Sequence, residues 1–454
     1  MALIKDIYFE DKSYRFVTDN YKNDIDNTFT VIIGNNGTGK SRFLSHVIKE
    51  VWKKSFDNGM TLLDLNITRF SKIIALTSSP FDKFPSIRIF NRYMKRKYND
   101  TNINNQYKYL GLKDDLHKFI NSNGQLFKII DSLLFSTNKS NNELRKLAKT
   151  FNLLGYQPQL LLVYEFKSHF RIMNLFHHMN TYEEFFSYME HYEGSRPNSL
   201  MDQLTQDKSL FYTIKESIEQ LYEFTYNREM YFEIDILDGI FIRGSHEHYK
   251  RIQILRDFNL VEFKNLHLWK TSHDDNISIK DTSSGERALL LNILGIASEI
   301  QDDTLICIDE PEISLHPEWQ EKYMQLLTST FKNYQGCHFV IATHSPKIIS
   351  ELSLKNCFIL SMDNNHVYSS ENYAKRSSDY QLARLFKTPG SRNEYLLKEC
   401  VKILSTLSKT RTLSDEDHNS IRKLIELLPK LEDEDPVKEM ILIIEETLEK
   451  LYND

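Results

Sequence analysis

Several things are scarce in this 454-residue sequence, and each shortage closes off a class of protein. Cysteine occurs four times, at Cys307, Cys337, Cys357 and Cys400, without the paired spacing that holds zinc. The four are read as reduced thiols of a cytoplasmic protein, which excludes a disulfide scaffold. No apolar run approaches the roughly 20 residues needed to span a bilayer. The start, Met1-Ala2-Leu3-Ile4-Lys5-Asp6, lacks the apolar stretch of a leader, so no signal peptide is expected. An excess of one charge is also missing. With 57 Lys and Arg against 63 Asp and Glu, the net charge of −6 exerts no global pull toward nucleic acid or an anionic membrane. There is no internal repeat, no low-complexity tract and no sustained heptad pattern, which argues against a solenoid or a long coiled-coil arm.

What is present is concentrated in a few short runs. Gly34-Asn35-Asn36-Gly37-Thr38-Gly39-Lys40-Ser41 is a complete G-x-x-x-x-G-K-S phosphate loop. It follows the strand-like Thr30-Val31-Ile32-Ile33 and opens a helix that runs from Ser41 to about Ser55. Glycines let such a backbone curl so that its N–H groups face an anion, and the helix N-terminus adds partial positive charge. Gly34 through Ser41 are therefore expected to bind nucleotide, with Lys40 on the β- and γ-phosphates and Ser41 on Mg²⁺. Leu305-Ile306-Cys307-Ile308-Asp309-Glu310 reads as a buried strand delivering two carboxylates to its carboxyl end. Asp309 would hold Mg²⁺ opposite Ser41, and Glu310 would polarise the water that attacks the γ-phosphate. Lys72-Ile73-Ile74-Ala75-Leu76 is another buried strand, and it ends in the polar turn Thr77-Ser78-Ser79-Pro80-Phe81-Asp82, where doubly wound sheets place ligands.

Thr282-Ser283-Ser284-Gly285-Glu286 precedes a helix running to about Ile300. It resembles the signature loop of ABC-type ATPases; taken alone it is equally a plausible helix cap, and its position before the Asp309-Glu310 strand favours the signature. Glu310-Pro311-Glu312-Ile313-Ser314-Leu315-His316-Pro317 and Ala342-Thr343-His344-Ser345-Pro346 resemble runs of the RecF, SMC-like and OLD-like members of that group rather than those of transporters. The resemblance implies that Ser283, Gly285 and Glu286 complete the site of an opposite subunit in trans. It also implies that His344 contacts the γ-phosphate or orients the attacking water beside Glu310, and that the cofactors are ATP and Mg²⁺. One part of the group's pattern is absent: the turn after Ile73–Leu76 has no glutamine, Gln106 lies too far along, and no glutamine-loop residue is assigned.

The expected fold is α/β: an ABC-type ATPase head with a mixed sheet around the phosphate-loop core, a helical insertion and a helical C-terminal tail. The head is placed at 1–86 and 230–370, the insertion at 87–229 and the tail at 371–454. A short insertion and a helical tail are similar to the ATPase subunits of bacterial anti-phage systems, PtuA of Septu among them, with AriA-like and retron-associated ATPases sharing that outline. Ser78–Phe84 and Tyr107-Lys108-Tyr109-Leu110-Gly111 carry this narrower likeness. It implies a homodimer, or an assembly of dimers, that controls a separate HNH or Toprim nuclease. The alternatives are a RecF-type DNA-repair clamp and a transporter ATPase. About 110 residues follow His344 without an Asp-x-Asp, and His177-His178 and His246-Glu247-His248 lack matching ligand pairs, so no nuclease centre is expected in the chain itself. The basic, aromatic stretch Arg92–Tyr98 is a possible DNA contact, although such runs are more often solvated faces.

Overall fold

Four runs of this chain are apolar from end to end, the pattern of strands covered on both faces, and they form the centre of a parallel sheet. The computed structural model describes residues 2–19, 21, 26–56, 67–77, 79, 81–85, 106–111, 126, 129–130, 141–166, 176, 178–193, 204–222, 229–236, 241–243, 246–258, 260–272, 275–352, 355–410 and 412–453. Before residue 119 lie β1 (Asp6–Phe9), β2 (Lys12–Arg15), β3 (Thr28–Ile33), β4 (Lys72–Thr77) and β5 (Tyr107–Leu110). Next come β6 (Tyr156–Phe166), β7 (Glu229–Asp235), β8 (Phe241–Arg243), β9 (Val261–Lys270) and β10 (Asn276–Ser278). The last strands are β11 (Thr304–Asp309), β12 (His338–Ala342), β13 (Cys357–Ser361) and β14 (His366–Ser369).

The chain divides into two compact units, Met1–Phe119 with Gly295–Asp454, and Ile120–Leu294. The first unit is built on a seven-stranded sheet of order β14-β13-β3-β12-β11-β4-β5, parallel throughout except for the antiparallel edge strand β14. The helix Lys40–Phe56 buries Phe43, Leu44, Val47, Ile48, Val51 and Trp52 against a core that includes Ile32, Ala75, Leu305 and Val340. Those helix positions recur at the three- and four-residue spacing of one face. His338 is fully enclosed by this sheet. Its Nε2 donates to Thr30 Oγ1 at 2.9 Å, because that hydroxyl itself donates to the Phe16 carbonyl, and its Nδ1 accepts from the Ile4 N–H at 3.3 Å. Burial holds its pKa down at about 3, so it is a neutral structural link. The end of the chain forms a helical cluster with its own core, in which Leu396, Cys400, Ile403 and Leu407 meet Ile421, Leu424, Val437, Ile441 and Ile444.

The second unit is organised by a five-stranded antiparallel sheet of order β10-β9-β6-β7-β8, with the helices Asn141–Leu153, Tyr182–Glu193, Ser209–Tyr222 and His246–Asp257. The expected boundaries therefore differ from the observed grouping. The strand-like runs in 156–278 pair with one another, β6 taking β7 on one side and β9 on the other, and so they leave the head and form a separate sheet inside the insertion. Periodicity marks each strand but cannot say which sheet it joins, because pairing over such separations is set by tertiary packing. The helix Ser284–Glu299 begins in the second unit and ends in the first. Among the described residues no helix is long and apolar enough to cross a membrane, and the four cysteines are buried and form no disulfide. The stretch Arg92–Tyr98, Ser78, Pro80 and His177 lie outside the described residues.

Candidate nucleotide site

Adjacent parallel strands end on the same edge of their sheet, so the order β3-β12-β11-β4 decides which side chains meet. Ile33 leads into the phosphate loop, Ala342 into Thr343 and His344, Asp309 into Glu310, and Thr77 into the turn that carries Asp82. Ala342 and Thr77 are the register partners of Asp309 on its two sides. Gly37 and Gly39 take φ of +84° and +89°, a conformation that side chains resist, and this is how the loop curls between β3 and the helix Lys40–Phe56. The Thr38 hydroxyl donates to the Asn35 carbonyl at 3.0 Å and the Asn35 N–H donates to Asp363 Oδ2 at 3.0 Å.

Lys40 is 5 % exposed and folds back on its own loop, donating to the carbonyls of Gly34 at 2.9 Å and Asn35 at 3.3 Å. Its third contact is His344 Nδ1 at 3.3 Å. An ammonium only donates, so Nδ1 accepts and the imidazole proton sits on Nε2, which points at Glu310 Oε1, 3.6 Å away. That separation is too long for a hydrogen bond and places the two groups as neighbours around a common space. Burial, aided by Lys40, holds His344 down at about 4, so the ring is neutral near pH 7. Burial also lowers the Lys40 pKa, against the opposing pull of Glu310, Asp363, Glu312 and Asp309.

Asp309 is 2 % exposed. Burial pushes its carboxyl up to about 7; a hydrogen bond with Ser41 pulls the other way, and Glu310, Asp82 and Glu312 push further in the same direction as burial. Its Oδ1 is buried with no hydrogen-bond partner among the described residues. An orphaned carboxylate oxygen beside a hydroxyl at the mouth of a phosphate loop suits a hard cation, and Ser41 and Asp309 fit Mg²⁺ on that ground. Among the described residues no three His, Cys, Asp or Glu side chains come together as a metal cage, so a cation here would rely on phosphate oxygens and water for the rest of its shell, as Mg²⁺ ordinarily does.

Glu310 adopts φ of +49°, and its N–H is tied to the Ala342 carbonyl at 2.9 Å. Two residues on, Glu312 Oε1 accepts the His344 N–H at 2.5 Å, and burial raises this carboxyl too. Ser345 is fixed by Gln320, whose Oε1 accepts its hydroxyl at 2.7 Å. The structure thus brings Gly34–Ser41, Asp309, Glu310 and His344 to one edge. Ser283, Gly285 and Glu286 belong to the second unit and lie at the start of the helix Ser284–Glu299. There the Ser283 hydroxyl accepts the Glu286 N–H at 3.1 Å, and Glu286 Oε2 accepts the Ser283 N–H at 3.3 Å, a closed capping box. The residues without an assigned role in the sequence were Glu312, Asp82, Gln320 and Asp363. Glu312 and Asp82 sit in runs that stood out, while nothing in the sequence marks Asp363 as a neighbour of the phosphate loop.

The fold and the strand-end geometry define a phosphate-loop ATPase architecture, a mixed α/β sheet with the loop at its centre. Residues 165–350 match the family model described as "AAA domain, putative AbiEii toxin, Type IV TA system". That segment includes Ser283–Glu286, Asp309, Glu310 and His344, and begins after the phosphate loop. The chain is similar to the "Retron Ec83 probable ATPase" of Escherichia coli, 32% identical over 96 residues, covering 19% of this chain and 17% of that one. It is similar to the "Retron Vc95 probable ATPase" of Vibrio cholerae serotype O1 biovar El Tor, 30% identical over 95 residues, covering 18% of each. It is 32% identical over 75 residues to "Protein ea59" of Escherichia phage lambda, covering 16% of this chain and 14% of that one. In each case the match spans less than a fifth of the relative's length. These likenesses are to an AAA-domain family model and to two proteins named as probable ATPases.

Proposed function

We propose that this chain binds and hydrolyses ATP at the edge formed by β3, β12, β11 and β4. The observation that carries the reading is the buried, unpartnered oxygen of Asp309 beside Ser41 at the mouth of a phosphate loop. Mg²⁺, when bound with the nucleotide, would neutralise phosphate charge and orient the γ-phosphate. Lys40 would exchange its loop carbonyls for phosphate oxygens, a trade of neutral for charge-assisted hydrogen bonds. Glu310 would accept a proton from the attacking water, and the neutral His344, with its proton on Nε2, would donate a hydrogen bond to that water or to the γ-phosphate.

We further propose that two heads act together, with Ser283, Gly285 and Glu286 of one completing the site of the other, and that the pair passes its nucleotide state to a separate nuclease in anti-phage defence. The resemblance of the loops to ABC-type ATPases supports the first part. The likeness to retron-named ATPases, and more narrowly to PtuA of Septu, supports the second. In this reading the chain is not itself a nuclease. The apolar faces of the C-terminal helices, which leave Val401, Leu442 and Ile443 about half exposed, are the proposed dock.

Mixing two inactive variants tests the composite site. Ser283→Arg should bind ATP without hydrolysing it, Lys40→Ala should bind ATP about a hundredfold more weakly and not turn it over, and mixed pairs should regain about one working site. Samples that exchange subunits yet never regain hydrolysis refute action in trans. Cleavage of plasmid DNA by the isolated chain that survives Glu310→Gln refutes the division of labour.

A further inference from the structure

Glu310 and His344 stand on separate loops, one after β11 and one after β12. Holding them 3.6 Å apart requires something that joins the two loops. The first loop is not at ease by itself. Glu310 and Ser314 both take left-handed backbone, φ of +49° and +69°, although neither is glycine. Such conformations persist where the surroundings over-determine them. One tie between the loops is Glu312, which accepts the His344 N–H. The other is Gln320, on the first turn of the helix Pro317–Phe331. Its Nε2 donates to the carbonyl of Leu315, next to Ser314, at 3.0 Å. Its Oε1 accepts the hydroxyl of Ser345, next to His344, at 2.7 Å. A carbonyl only accepts, so the nitrogen end of the amide must face Leu315 and the oxygen end Ser345.

Ser345 shows that this bond replaces a more ordinary one. It stands at the N-cap of the helix Pro346–Ser350, where a serine hydroxyl usually accepts a backbone N–H of the first turn, yet it makes no capping bond. Its hydroxyl goes to Gln320 instead. The residue is 5 % exposed, and its own N–H is held by Thr343 Oγ1 at 2.9 Å. We propose that Gln320 is a positioning residue for hydrolysis: its side-chain amide clamps the Glu310 loop to the His344 loop and sets the space in which the attacking water is held. The clamp needs a donor end and an acceptor end. Glutamate would lack the donor, and leucine would lack both. Misplacing reacting groups by about 1 Å can slow a reaction about a hundredfold. The inference deepens the ATPase reading and rests on it. ATP affinity belongs to the phosphate loop, which Gln320 does not touch, and should not depend on the clamp.

The test is single-turnover ATP hydrolysis by the full chain, beside equilibrium ATP affinity and hydrogen–deuterium exchange without nucleotide. Gln320→Leu should slow turnover about a hundredfold, keep ATP affinity within about twofold, and speed exchange in both 310–316 and 343–346. Gln320→Glu and Ser345→Ala each break one arm of the clamp and should slow turnover about tenfold, while Ser345→Thr, which keeps the hydroxyl, should stay within about threefold of the wild type. Adding Ser345→Ala to Gln320→Leu should change nothing further, because the bond is already gone. Glu321→Ala removes the ion pair with Lys347 that joins the same two helices, and it should leave turnover, affinity and loop exchange as they are. If Gln320→Leu folds and turns over ATP as the wild type does, the assignment is wrong. Should it not fold, wild-type turnover in Ser345→Ala overturns it instead. A loss of ATP affinity that matches the loss of turnover, faster exchange in only one loop, or an equal loss in Glu321→Ala also overturns it, since each would mark damage other than release of the clamp. A wild-type chain that hydrolyses no ATP overturns the ATPase reading, and this inference with it.

Discussion

The phosphate-loop edge and the Ser283–Glu286 loop were both conspicuous in the sequence, and they differ in how their polar groups are satisfied. At the first, among the described residues, Asp309 leaves a buried oxygen without a partner, Lys40 donates to loop carbonyls and contacts His344, and Glu310 and His344 face one another at 3.6 Å without bonding. At the second, Ser283 and Glu286 satisfy each other's N–H groups in a closed box. Buried polar groups normally find partners. A group that lacks one is placed for something else, whereas a group already paired needs no ligand to explain it. The difference separates a motif whose geometry asks for a ligand from one whose geometry is accounted for by helix capping, with any further role left to a second subunit.

The largest effect expected from that contrast is on hydrolysis. Glu310→Gln should lower turnover by about 10³-fold with ATP still bound, because it removes a proton acceptor and leaves the loop intact; single-turnover kinetics beside equilibrium binding reads both. Lys40→Ala should weaken ATP about a hundredfold, the scale of a few lost charge-assisted bonds. Titration with a fluorescent ATP analogue is the measurement, and a loss below about threefold would mean that Lys40 stays with its carbonyls.

The pH dependence of stability comes next. The Asp309 carboxyl stands at about 7 in the folded chain, above the 3.8 of an unperturbed aspartate. Its contribution is therefore most favourable below about pH 4 and is lost as the pH rises through 7. His344 works the other way: its folded value of about 4 lies below the ordinary 6.5, so stability is lost as the pH falls from 6.5 through 4. Asp309→Asn removes the first effect only. Without metal, it should melt about 5 °C above the wild type near pH 8, and the gap should close toward pH 4. Mg²⁺ with nucleotide should narrow the same gap by compensating the wild-type charge. Melting curves across that range decide it; a pH-independent difference would show that Asp309 is not the group responsible.

The smallest effect belongs to the capping box. Ser283→Ala should cost about 1 kcal/mol of stability and leave ATP affinity unchanged. If it also removes hydrolysis in a chain that still pairs, the box has a second role that its own hydrogen bonds do not reveal.

Much of the first unit was legible because its chemistry is local in sequence. Strands such as Leu305–Ile308 and Phe339–Ala342 are continuous apolar runs, and the residues that follow each are the ones a parallel sheet gathers at one edge. Asp363 escaped notice because it reaches Asn35 only through strand order, 328 positions along the chain. Asp82 lay in a run that drew attention, but the bond its carboxylate accepts comes from the Tyr109 hydroxyl on the neighbouring strand β5, which no spacing rule connects to it. In the second unit the strand-like runs were visible while their assembly was not, since β6 takes partners more than 60 residues further along the chain.

Glu310 takes a left-handed backbone, φ +49°, where glycine or asparagine would be more at ease. Two selections on one library at this position should then diverge. Selection for folding alone, as protease resistance without nucleotide, should enrich glycine and asparagine, while selection for turnover should return glutamate. The position records what the catalyst requires in a currency that folding would not choose, and a variant improved for shelf life by relaxing it should be the one that has stopped working.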